Sequence, residues 1–227
     1  MMDILLNHPR FIVINKPAGQ GFHREAAAPG VLALLREQTG LTDLHGVHRL
    51  DTLTSGLLLF AKGGDTAATF GQLFATRRMD KCYLAVSASK PTKKQGLISG
   101  DMVRSRNGSW RLAPTREDPA LTRFFSTGVG NGRRLFLLRP LTGRTHQLRV
   151  ALKSLGSPIL GDARYGGEAA DRGYLHAYAL RFTLEDETFS LCCPPTSGTE
   201  WGALPTEWHM PWDLPWPGGK PASAVVE

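Results

Sequence analysis

The stretch His48-Arg49-Leu50-Asp51-Thr52-Leu53-Thr54-Ser55-Gly56 gathers polar groups directly ahead of an apolar run. A carboxylate on a turn that feeds a rigid strand is well placed for chemistry. An ionised Asp51 can serve as nucleophile or general base, and Arg49 can hold it or bind phosphate. The same residues also suit an Asx-type turn stabilised by Thr54 and Ser55. A second dense segment is Arg139-Pro-Leu-Thr-Gly-Arg-Thr-His-Gln-Leu-Arg149. On a helix starting near Thr145, His146 and Arg149 share a face. The helix start and Arg144 then suit a phosphate, and Arg149 suits a carboxylate such as Asp51. A solvated basic helix is the plainer reading. In Gly161-Asp162-Ala-Arg-Tyr165-Gly166-Gly167 the glycines imply tight turns, and a structural role is expected there. GxxxxGK[ST], GxGxxG and HExxH patterns are absent, which argues against nucleotide-driven, nicotinamide and zinc-protease chemistry. The seven histidines show no ligand spacing, so a reaction without metal or other cofactor is expected.

The elements that must carry these residues read as follows. Phe11–Asn15 is a short buried strand ended by Lys16-Pro-Ala-Gly19. Gly30 to Gly40 has helical spacing with Gly40 as its stop. Leu57–Ala61 is a buried strand, followed by a helix capped by Asp65 and running to about Arg77, with Ala67, Ala68, Phe70, Leu73 and Phe74 inward. Cys82–Val86 is a strand. Residues 88–119 are polar, basic and broken by Gly and Pro, an excursion facing a polyanion or a mobile insertion. Leu121–Ser126 and Arg134–Leu138 form an antiparallel pair joined by a turn over 128–132. A helix runs from a Thr145 cap to Leu155 with Leu148, Ala151, Leu152 and Leu155 on one stripe. Leu175–Phe182 and Thr188–Cys192 are further short elements. Four of the five tryptophans lie in the Pro/Gly-rich tail after Pro194, where hydrophobic capping is expected. There is no regular βαβ rhythm, so the expected class is α+β with a mainly antiparallel sheet.

The 227 residues allow one or two domains. With 41% hydrophobic and 21% charged residues the chain has globular composition. It holds no apolar run long enough for a membrane helix and no amino-terminal signal pattern. Three cysteines, two adjacent, suit buried thiols in a reducing cytoplasm. The net charge is +7, unevenly spread: zero over 1–76, +7 over 77–123, +6 over 124–167 and −6 over 168–227. The basic middle suits a polyanion.

Together these segments resemble the RluA-type family of RNA pseudouridine synthases. The family hallmark HRLD-x-x-TSG-x-x-x-x-AK is matched completely by His48 to Lys62. Lys81-Cys-Tyr83-Leu-Ala85 is similar to the KxYxA segment, Gly143 to Val150 matches GRTHQ[IL]RV, and Pro158 to Gly166 matches PI-x-GD-x-x-YG. Asn15-Lys-Pro-Ala-Gly19 and Leu175-His-Ala177 also look like family segments, so the resemblance spans roughly residues 8–193. It implies the α+β pseudouridine-synthase catalytic fold, a mixed, mainly antiparallel sheet flanked by helices, with two lobes around a central cleft. It implies one catalytic domain over 1–227 without a separate S4-like module.

By the same resemblance Asp51 is the catalytic aspartate, Tyr83 stacks on the target base and moves a proton, and Arg149 is the arginine paired with the aspartate. The resemblance puts Arg49 and Leu175 in substrate binding, Leu175 as an apolar wall, and the reading of the Arg139–Arg149 segment adds Arg144 and His146. The implied partner is structured RNA, ribosomal or transfer, with no membrane and a monomeric enzyme. A stacked uridine cannot present C1′ and N1 to a carboxylate, so base flipping is expected, at a cost of a few kcal/mol. Two positions depart from the family: Ala151 stands where His is common, and Gly156-Ser157-Pro158 where GHP is common. The competing readings are a non-catalytic RNA-binding or ribosome-assembly protein that keeps the fold, and a glycosidase or nucleoside hydrolase. An inverting glycosidase needs two flanking carboxylates, and Asp51 with Asp162 is not evidently such a pair.

Overall fold

The computed structural model describes residues 1–22 and 29–218. In chain order the elements are β1 (Asp3–Asn7), β2 (Phe11–Lys16), α1 (Val31–Thr39), β3 (Leu44–Gly46), β4 (Ser55–Lys62), α2 (Gly64–Ala75), β5 (Asp80–Ser87), β6 (Gln95–Arg104), β7 (Trp110–Ala113), β8 (Ala120–Gly130), β9 (Arg133–Pro140), α3 (Gln147–Ser154), β10 (Leu175–Leu184) and β11 (Glu187–Cys192). Short 3-10 turns cover Arg106–Gly108, Ala163–Tyr165 and Thr206–His209. The chain forms two units, Met1–Tyr83 with Ala170–Gly198, and Leu84–Ala169 with Thr199–Glu227.

In the first unit the strands are ordered β1-β2-β4-β10, with β3 against β4 and β11 against β10. All pairings are antiparallel except β4 with β10. The expected strand at Phe11 is β2, in which every residue is buried. Such a continuous apolar run marks a strand covered on both faces. Phe11 packs edge-on to Phe70, Phe182 and Phe189, with ring centroids 5.0 to 5.7 Å apart. Burying a side chain of that size contributes roughly 1.5–3 kcal/mol. Gly40 ends α1 in the left-handed conformation, as expected.

Two expectations for α2 need correction. Gly63, not Asp65, is its N-cap, and no side chain caps the helix. Its φ of 83° is cheap only for glycine, and the helix starts two residues earlier than Asp65 would set it. Ala68 is exposed, and the buried positions are Thr66, Phe70 and Leu73.

The second unit orders its strands β9-β8-β6-β7, all antiparallel. The β8–β9 hairpin runs further than expected, to Gly130 and Arg133, leaving Asn131-Gly132 as a two-residue turn. Both turn residues have positive φ, 50° and 70°, as a hairpin turn matching strand twist requires. Residues 88–119 are not a loose insertion: β6 and β7 pair Asp101–Arg104 with Trp110–Ala113.

The helix expected from Thr145 begins at Gln147, with His146 at the N-cap and no side-chain cap. The cause is the Gln147 side chain. Its Oε1 accepts from Thr142 Oγ1 (2.8 Å) and the Arg144 N–H (3.0 Å), and its Nε2 donates to Leu121 O and Thr122 Oγ1 (both 3.0 Å). That set of bonds ties the incoming loop to β8, so no Thr145 cap is needed. Burial on α3 extends beyond the expected stripe to Gln147, Arg149 and Val150.

The two family departures are accommodated here. Ala151 is buried in α3, and buried Ser157 donates to Ser89 O at 2.8 Å. Trp201, Trp208 and Trp216 are buried, and Trp216 lies 5.1 Å from the Phe125 ring, which accords with hydrophobic capping. The end of that tail, 219–227, lies outside the described residues. Cys82 and Cys193 are buried as expected, but Cys192 is exposed, because β11 leaves alternate residues to solvent. No helix among the described residues is long and apolar enough to cross a membrane.

Candidate active site

The first unit carries Asp51, Arg49, Tyr83 and Leu175. Asp51 is half-buried on a turn closed by the Thr54 N–H donating to its carbonyl at 2.9 Å. The turn is fixed from behind. Lys16, fully buried, donates from Nζ to the carbonyls of Pro17 (2.9 Å), Gln20 (2.8 Å) and Thr52 (3.4 Å), and the Gly19 N–H donates to Thr52 O at 2.8 Å. A buried ammonium persists only with such partners. The Asn15–Gly19 loop thus holds the Asp51 turn in place.

On the strand side of the turn, Ser55 Oγ and Nδ1 of the buried His176 are 2.7 Å apart. His176 Nε2 lies 2.7 Å from Cys193 O, and Arg172 donates to Ser55 Oγ at 2.5 Å. Gly56 follows, with φ 101°; a Cβ there would stand 2.3 Å from the Ala177 carbonyl oxygen. Arg49 is exposed, and Leu175 is buried at the start of β10.

Tyr83 is half-buried on β5. Burial, then the nearby Asp51 carboxylate, then Cys82, push its phenol well above the usual tyrosine range. The phenol therefore keeps its proton, and it feels the Asp51 charge. His48 accepts from the Leu59 N–H at 3.0 Å, and its ring centroid lies 5.0 Å from that of Phe74. Burial and the Lys81 charge lower its pKa to about 3, so it is neutral and structural. Burial also lowers the pKa of Lys81, whose Nζ lies 5.4 Å from the centroid of the Phe74 ring.

The second unit carries Arg144, His146 and Arg149. Arg149 is buried and forks onto Asp162, Nε to Oδ2 at 2.7 Å and a terminal nitrogen to Oδ1 at 2.8 Å. Two parallel charge-assisted bonds set the guanidinium plane. Tyr165 lies beside that plane, with the Arg149 guanidinium carbon 4.9 Å from the ring centroid. His146 has φ 57°, a left-handed conformation costing roughly 1–3 kcal/mol for a residue with a Cβ. Arg144 is exposed and forms an ion pair with Asp118.

Reading by motif gave no supporting role to Lys16, Arg172 and His176 in the first unit or to Gln147 in the second, whereas Ser55 was read as a turn stabiliser and the Asp162–Tyr165 segment as structural. The signal for Asp162 and Tyr165 is a carboxylate and a phenol set amid tight glycine turns, where both are buried.

A family model described as RNA pseudouridylate synthase matches residues 10–154. The chain is 46% identical over 202 residues to an uncharacterized RNA pseudouridine synthase of Haemophilus influenzae, covering 88% of this chain and 90% of that one. It is 30% identical over 238 residues to tRNA pseudouridine synthase C of Haemophilus ducreyi, covering 92% and 97%. Among solved structures, human RNA pseudouridylate synthase domain containing 1 matches with a TM-score of 0.74 at 28% identity, covering 86% of this chain and 84% of that one. Two relatives matched along nearly their whole length, and a shared fold, account for motifs that composition alone left open: the chain belongs to the RluA-type RNA pseudouridine synthases, which are isomerases.

Proposed function

We propose that the chain converts uridine to pseudouridine in structured RNA, ribosomal or transfer, with Asp51 as the catalytic carboxylate. The observation that supports this reading is the Asp51 turn itself, backed by buried Lys16 and followed by buried Ser55, beside a Tyr83 phenol whose pKa is raised by burial and then by the Asp51 charge. The reaction breaks C1′–N1, turns the uracil and forms C1′–C5. N1 gains a proton and C5 loses one, so atoms balance without an external energy source. Asp51 attacks the sugar or the base, or promotes elimination, and Tyr83 stacks on the uracil and moves a proton. The target uridine is flipped out of its stack, at a cost of a few kcal/mol.

Arg49, Arg144 and His146 bind the substrate, Leu175 supplies an apolar wall, and Arg149 acts as the catalytic arginine. The β6–β7 hairpin, with exposed Arg104, Arg106 and Arg111, meets phosphates, in keeping with the net +7 over residues 77–123. The enzyme works as a monomeric catalytic domain in the cytoplasm. The match along 97% of a relative named for tRNA supports transfer RNA as one substrate class.

The decisive experiment maps pseudouridine in total RNA incubated with the wild type and with Asp51→Asn. The wild type adds pseudouridine at discrete sites. Asp51→Asn adds none, while its RNA affinity stays within about threefold. Normal turnover by Asp51→Asn overturns the assignment.

A further inference from the structure

Tyr165 is buried and meets three separate parts of the second unit. Its hydroxyl oxygen accepts the Trp110 N–H at 3.1 Å, at the start of β7. The same oxygen lies 2.8 Å from His146 Nδ1, at the strained N-cap of α3. Its ring stands edge-on to the His146 ring, with centroids 5.7 Å apart, and lies beside the Arg149 guanidinium. The next residue back, Arg164, donates to the carbonyls of Asn107 (3.2 Å) and Gly108 (3.1 Å), at the tip of the β6–β7 hairpin. The Gly161–Gly167 segment therefore grips the hairpin at two points and the His146–Arg149 segment at two more.

The donor count gives this junction a direction. A backbone N–H can only donate, so Trp110 fills one lone pair of the phenolic oxygen. The single phenolic proton is then available for His146 Nδ1, and the phenol keeps that proton because burial raises its pKa. A histidine that accepts at Nδ1 carries its proton at Nε2. The left-handed backbone of His146 needs an outside restraint, and this hydrogen bond supplies one.

We propose that Tyr165 is a positioning residue: its hydroxyl sets the tautomer and orientation of His146, its ring sets the plane of Arg149, and together they couple the arginine-rich β6–β7 hairpin to both. This rests on the reading of the chain as an RNA-binding isomerase with His146 in substrate binding. RNA phosphates pulling on the hairpin then act on the His146–Arg149 segment through one side chain.

The test compares Tyr165→Phe, which removes only the hydroxyl, with Tyr165→Leu, which also removes the ring. Histidine-labelled nitrogen NMR, with the His146 signal assigned through His146→Gln, reads the tautomer. Unmodified tRNA and rRNA transcripts read KM and kcat. Wild type shows a single Nε2–H tautomer. Tyr165→Phe shows a mixture, with KM raised about tenfold, the worth of one lost hydrogen bond, and kcat within about threefold. Tyr165→Leu lowers kcat as well. If Tyr165→Phe does not fold, Trp110→Pro, which deletes the N–H, should loosen the same tautomer. An unchanged tautomer and KM in a folded Tyr165→Phe overturn the proposal. Absence of pseudouridine from wild-type reactions instead overturns the functional reading, and the NMR comparison still decides whether Tyr165 orients His146.

Discussion

Ser55 and His176 face each other where β4 and β10 run parallel, with Ser55 Oγ 2.7 Å from His176 Nδ1. His176 Nε2 faces the Cys193 carbonyl, an acceptor only, so Nε2 carries the proton and Ser55 donates to Nδ1. This arrangement holds a neutral imidazole, and burial lowers its pKa from 6.5 to about 4. The unfolded chain takes up a proton at His176 below about pH 6.5, while the folded one does not until about pH 4. Stability is therefore complete above that window and falls as pH drops through it, by about 3 kcal/mol in all. Urea unfolding at a series of pH values should show this slope, and His176→Gln should flatten it. An equal slope in both proteins would refute the linkage.

The Arg149–Asp162 pair should dominate the stability of its surroundings. Both side chains are buried, so removing one leaves the other charged and unpaired in low dielectric. Asp162→Asn should cost about 3–5 kcal/mol by urea unfolding. Adding Arg149→Met to it should recover part of that loss. A cost under about 1 kcal/mol would place the pair among surface-like ion pairs.

Tyr83 makes a kinetic prediction. Its phenol is held above the usual tyrosine range, so its deprotonation should not limit turnover below about pH 10. Single-turnover rates should stay level from about pH 8 to about pH 9.5 on this account. Tyr83→Phe should slow conversion by about 100-fold if the phenol moves a proton. A near-normal rate would leave Tyr83 as a stacking surface alone.

Gly56→Ala tests the join between β4 and β10. The new methyl would meet the Ala177 carbonyl at 2.3 Å, at a backbone φ of 101°. Both faults together should cost about 3 kcal/mol or more, lowering the Tm by roughly 6–12 °C. Differential scanning calorimetry checks this, and an unchanged Tm would show that β10 can move aside.

Local chemistry made much of the fold readable in the residues. The apolar run at Phe11, the helical spacing before Gly40 and a hairpin turn within residues 128–132 each follow from a nearby pattern, although the turn itself is only its last two residues. The errors arose where a distant group intervened. Thr145 lost its capping role because Gln147 reaches across to Leu121 and Thr122. Asp65 lost its cap because Gly63 supplies a conformation that propensity at Asp65 cannot reveal. The site motifs were legible as types and spacing. Supports such as Lys16 and His176 were not, because they are buried polar residues whose partners are set by tertiary structure.

Residues 170–198 belong with residues 1–83, although the whole of 84–169 is synthesised between them. At ordinary translation speeds β4 waits on the order of 10 s for β10 to leave the ribosome. Through that interval Ser55 has neither His176 nor Arg172, and the Asp51 turn lacks half of its anchorage. A nascent chain truncated before Leu175 would therefore carry the hallmark motif intact while lacking His176, the partner that fixes Ser55 on the strand side of the Asp51 turn.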